Sequence, residues 1–141
     1  MNSKGLFHRE EMKMKIVVKE ARVVASNIVV DFLSDYGEAT AIWDGDSPTE
    51  DCEYQVEVDI EETLSWGEDA IVSETNEYSV RMCGNSIVFV GILDSTEDDG
   101  YTVVRIGEGI IPFITKGIPV TVGSFVQVIS KTVTLTPINY F

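Results

Sequence analysis

The stretch YQVEVDIE, residues 54–61, decides the fold. Tyr54, Val56, Val58 and Ile60 alternate without error with Gln55, Glu57, Asp59 and Glu61. That is the period of a strand with one face in a core and one in water. A helix would set Val56, Ile60 and Leu64 on one stripe. The unbroken alternation and the β-branched residues favour the strand instead.

The same rhythm extends in both directions. On the N-terminal side, residues 13–26 and 27–33 are rich in Val and Ile, SDYG (34–37) reads as a turn, and EATAIW (38–43) stops at the breakers of DGDSP (44–48). Beyond residue 61 lies a corner carrying Trp66-Gly67, then a short strand or edge at 69–74. Strands follow at about 77–83 and 86–93, split by Gly84-Asn85, a dipeptide suited to a tight hairpin. The loop STEDDG (95–100) leads into segments 101–107, 109–117, 119–130 and a closing strand around Val133 and Leu135. The expectation is an all-β fold of about ten short strands with little or no helix. It would be a β-sandwich or a partly open Greek-key barrel. The run from 77 to 137 is loosely similar in rhythm to a small Greek-key barrel such as the OB-fold.

A chain of 141 residues with 44% apolar content suits one domain with a real core. Residues 1–12 lack both strand alternation and an apolar signal core, so they read as a disordered leader outside a domain spanning 13–141. No apolar run reaches bilayer length, and the reading is a cytoplasmic protein. Cys52 and Cys83, the only cysteines, are expected as free thiols.

Charge is the unusual quantity. The net charge is −14. Between Arg22 and Arg81 there is no Lys or Arg, while those 58 positions hold 16 carboxylates. Such a surface repels nucleic acid, whose binding depends on cations, and disfavours an anionic membrane. A solvated face for solubility would also be acidic. It would not predict so long a run without a base, because soluble surfaces ordinarily intersperse both signs.

Chemistry finds little support. The only histidine is His8, so neither a zinc site nor a Ser-His or Cys-His pair can be assembled in the body of the chain. Asp94, Asp98 and Asp99 resemble the start of a calcium loop, but Arg105 or Ile106 falls where the closing glutamate belongs. A hairpin tip is the better reading. Gly107 and Gly109 lack the partners of a phosphate loop. No cofactor is implied, and a carboxylate hydrolase is a minority reading.

The leading expectation is a non-enzymatic acidic protein that occludes a basic partner protein, in the manner of an immunity or inhibitor protein against a cationic toxin or nuclease. Its surface would comprise Asp44, Asp46, Glu50, Asp51, Glu53, Glu57, Asp59 and Glu61. Trp43 and Trp66 would be either anchors or plugs of the core. A carbohydrate- or ligand-binding OB-like barrel and a structural adaptor are the alternatives.

Overall fold

The structure is a computed structural model that describes residues 13–138; the expectation of a disordered leader at 1–12 falls outside the described residues. It is all-β, with twelve strands: β1 (Lys13–Val24), β2 (Asn27–Ser34), β3 (Gly37–Trp43), β4 (Cys52–Ile60), β5 (Leu64–Ser65), β6 (Ala70–Val72), β7 (Ser79–Cys83), β8 (Ser86–Thr96), β9 (Tyr101–Ile106), β10 (Gly109–Lys116), β11 (Phe125–Ser130) and β12 (Val133–Pro137). Among the described residues no helix is long and apolar enough to cross a membrane.

Five strands close a barrel in the order β1-β2-β3-β12-β4, with β4 returning to β1. All neighbours are antiparallel except β3 and β12, which meet in parallel at Ile42 and Trp43. The barrel is therefore a five-stranded Greek-key closure. The OB-like rhythm was expected at 77–137, and the structure moves it. Four barrel strands come from residues 13–60 and only the fifth, β12, from the C-terminal end. The seven strands between them form a second sheet, ordered β5-β10-β9-β8-β11-β6, with β7 also paired to β8. Local pattern marks β12 as a strand. It carries no signal that β12 closes on β3 and β4, more than seventy residues away from both by sequence.

The alternation of β4 is realised. Val56, Val58 and Ile60 are buried, and Tyr54 packs on the core, while Glu53 and Asp59 are exposed on the other face. β8 behaves differently: Ser86–Gly91 is buried without interruption. It lies between β7 or β9 on one side and β11 on the other, inside the second sheet. A strand covered on both faces reads as a continuous apolar run, as SIVFV does.

One hairpin matches expectation and another was unsignalled. Gly84-Asn85 makes the predicted β7–β8 turn, with Cys83 opposite Ser86. Residues 13–33 also contain a tight turn at Ala25-Ser26, both with positive φ (49° and 71°). Positive φ at both central residues matches the right-handed twist of a hairpin, though the sequence lacks the usual Asn-Gly signal. The stretch 119–130, expected as one strand, is a loop until Phe125.

The two sheets share one apolar core, which runs from Ile16, Phe32 and Val56 in the barrel to Phe89, Leu93 and Ile111 in the second sheet. One joint between them is at Tyr36-Gly37. The Val80 N–H donates to the Tyr36 carbonyl at 2.9 Å, and the rings of Tyr36 and Tyr78 meet edge to face at 5.3 Å. Gly37 has φ of 135°, and a Cβ there would run into the Val80 carbonyl oxygen. Only glycine accommodates both demands.

A candidate acidic binding face

The candidate site is built on β4. Its outward row contains Glu53, Gln55, Glu57 and Asp59, with next-nearest neighbours about 7 Å apart by strand geometry. β12 lies alongside, with Thr134 opposite Asp59 and Thr136 opposite Glu57. Glu61 follows the end of β4 and accepts a hydrogen bond from the Thr134 hydroxyl at 3.3 Å. Asp44 follows the end of β3, and its N–H donates to the Leu135 carbonyl at 2.8 Å. That bond sets Asp44 beside β12, within electrostatic reach of Asp59.

Asp44, Glu57, Asp59 and Glu61 therefore form one group. The barrel wall strips part of the water from Asp59, and this raises its pKa; Glu57, Glu61 and Asp44 then raise it further by repulsion. None of the four makes an ion pair with a described residue. The β4–β12 pairing and the bonds of Asp44 to Leu135 and of Thr134 to Glu61 hold these like charges near one another.

The other acids of the expected surface do different work. Asp51 ion-pairs with Lys19 at 2.9 Å, its N–H donates to the Val18 carbonyl at 2.7 Å, and the Glu50 carboxylate accepts the Ala21 N–H at 3.1 Å. Glu50 and Asp51 thus lash the β3–β4 connection to β1. Asp46 lends its main-chain carbonyl to the Trp43 indole N–H at 2.8 Å, while Glu53 stands opposite Val17. Only part of the sequence run becomes one patch. Sheet pairing supplies the reason: β1, which carries Lys13, Lys15, Lys19 and Arg22, lies directly against β4 and β2. Lys13 is in register with Glu57, and Arg22 grips Asp31 at 3.0 Å. A gap in the sequence of bases is not a gap on the surface.

The tryptophans resolve separately. Trp43 is 3% exposed and meets Tyr54 edge to face at 5.1 Å. It plugs the barrel end and has no surface for a partner, which corrects the anchor reading for this residue. Trp66 is half-buried at the β5 corner of the second sheet, and its buried indole N–H has no hydrogen-bond partner among the described residues.

Among the described residues no group of three or more His, Cys, Asp or Glu side chains is placed to hold a metal ion. The three residues of the calcium-like loop do not converge. Asp94 ion-pairs with Arg105 at 2.9 Å, Asp99 accepts the Tyr101 N–H at 3.0 Å, and Asp98 is exposed. The loop is a hairpin tip held by the hydroxyls of Thr96, Thr102 and Thr115. Cys52 and Cys83 are free thiols.

Comparison of the chain with protein-family models, curated proteins and solved structures finds no match to any of them. The fold and the acidic group define it as an all-β barrel protein with a charged outer face.

Proposed function

We propose that this protein is a non-enzymatic acidic binding protein whose barrel face docks on a basic surface of a partner protein and occludes it. An inhibitor or immunity protein against a cationic toxin or nuclease works in this way. The observation that carries the reading is the grouping of Glu57 and Asp59 on β4 with Glu61 and Asp44 just past the ends of β4 and β3, none of them in an ion pair with a described residue. Mutual repulsion makes that grouping unfavourable in the free protein. A cationic partner would relieve it, and the field would speed encounter. The carboxylates would occupy the positions that phosphates take on a nucleic-acid-binding target.

The test is biosensor binding to a panel of cationic nucleases, with poly-lysine as the simplest probe, across a series of salt concentrations. The expected result is binding that weakens with salt, selective for a nuclease over poly-lysine. It should fall about tenfold or more in the Glu57→Gln, Asp59→Asn, Glu61→Gln triple variant, a loss of about 1.4 kcal/mol. Absence of binding to every cationic protein at low ionic strength would overturn the reading, as would binding that the triple variant leaves unchanged.

A further inference from the structure

A second surface, with cations on it, lies on the other side of β3. β3 pairs with β2 along its whole length but with β12 only at Ile42 and Trp43. At one end the Tyr36 carbonyl accepts from Val80, and at the other the Asp44 N–H donates to Leu135. Both anchors are even-numbered, so the even positions of β3 direct their main-chain groups away from β2. Thr40 lies between the anchors. Its N–H and C=O point into the gap between β3 and the β7–β8 hairpin.

That gap belongs to two adjoining grooves, one of about 680 Å³ and one of about 190 Å³, and both are lined by Thr40 and Met82. Lys19 and Arg81 stand on the first and Lys131 on the second. Ile42 adds an apolar wall. Lys19 holds Asp51, and Arg81 donates to Gln127 at 3.3 Å; both are exposed contacts that an incoming carboxylate could replace. Of the acids here, Asp31 is already matched by Arg22 and by the Thr40 hydroxyl at 2.6 Å, leaving Glu38. In a chain of net charge −14, Arg81 and Lys131, neither in an ion pair with a described residue, thus stand with Glu38 around a partly free strand edge.

A free edge flanked by apolar and charged side chains is the setting for strand addition, in which main-chain bonds give affinity and side-chain pockets give specificity. We propose that this groove binds an extended, acidic peptide segment of a partner protein. The segment adds to the β3 edge at Thr40 and sets its carboxylates against Arg81 and Lys131. The site is independent of the acidic face.

The experiment is selection from a randomised peptide display library on the full chain, followed by fluorescence polarisation with the enriched peptide. Enriched sequences are expected to alternate apolar and acidic residues. Affinity should fall tenfold or more in the Arg81→Glu, Lys131→Glu double variant, and also when alternate peptide amides are N-methylated. It should be unchanged in Asp59→Asn. Arg81→Ala with Lys131→Ala, a milder pair, should give a smaller loss with an unaltered melting curve. No enrichment over control, enrichment of basic peptides, or binding indifferent to both the double variant and N-methylation would overturn the proposal.

Discussion

The barrel and the second sheet handle charge in opposite ways. In the barrel, acids stand on the strands themselves: Glu20, Asp31, Glu38, Glu53, Glu57 and Asp59. In the second sheet, β5 to β11 carry a single strand acid, Asp94, and Arg105 neutralises it; the remaining acids are in the connections. The contrast separates two uses of a carboxylate. In a loop it keeps the surface hydrated and can move away from its neighbours. On a strand, next-nearest positions stay about 7 Å apart and repulsion cannot relax. The barrel therefore holds Glu57 and Asp59 at a fixed spacing, with Glu61 and Asp44 bonded beside them to β12, and the second sheet has no such row of strand acids.

The contrast stands on one shared core, and the largest effect should come from the joint between the two regions. Gly37→Ala places a Cβ against the Val80 carbonyl at a positive φ. It is expected to cost about 3 kcal/mol, a fall of roughly 10 °C in Tm. Thermal unfolding followed by circular dichroism should give one transition at a lower midpoint. Two separated transitions would mean that barrel and second sheet fold independently, and would break the picture of a common core.

A smaller effect separates a paired barrel acid from the grouped ones. The Thr40 hydroxyl, then Arg22, hold Asp31 below the usual carboxylate range. Its contribution to stability is present above the unfolded-state pKa and is lost as pH falls through the lowered folded-state pKa. Asp31→Asn should cost about 0.5–1 kcal/mol at neutral pH. Urea unfolding in strong acid should bring variant and parent together.

The smallest effect has the opposite sign. Asp59 has a raised pKa, so the native state holds its proton more tightly than the unfolded chain. Its ionised form opposes folding at neutral pH, and the penalty disappears as pH falls through the raised value toward the ordinary one. Asp59→Asn should stabilise the protein by a few tenths of a kcal/mol at neutral pH, discounted for its exposure. The gain should vanish in acid. A loss of stability would show that Asp59 is matched after all, and the distinction between paired and grouped acids would fail.

Much of this was legible residue by residue. Tyr54–Glu61 named its strand and its two faces because period-two alternation is a local property. Gly84-Asn85 named its hairpin for the same reason. Ala25-Ser26 was silent, since neither residue advertises positive φ. Residues 119–124 were read as part of a strand 119–130 because Val120 and Val122 mimic alternation; Val120 packs partly on the core and Val122 is exposed. Of the candidate surface, Glu57 and Asp59 share one face of β4, and Glu61 follows just past its end. Asp44 needed the tertiary fold to join them, and Glu50 and Asp51 needed it to leave. The groove residues Thr40, Arg81 and Lys131 gave no signal, because they come from three separate segments.

The sequence by itself determined that the chain is all-β, that β4 has one buried and one acidic face, and that the free protein is strongly anionic. These follow from periodicity and composition, which act over neighbouring residues. The tertiary structure alone decided that β12 closes the barrel, that the lysines of β1 lie against the acids of β4, and that one edge of β3 stays partly free. Those outcomes depend on which strands pair across long separations, and pairing is chosen by the burial of a common core rather than by any local pattern.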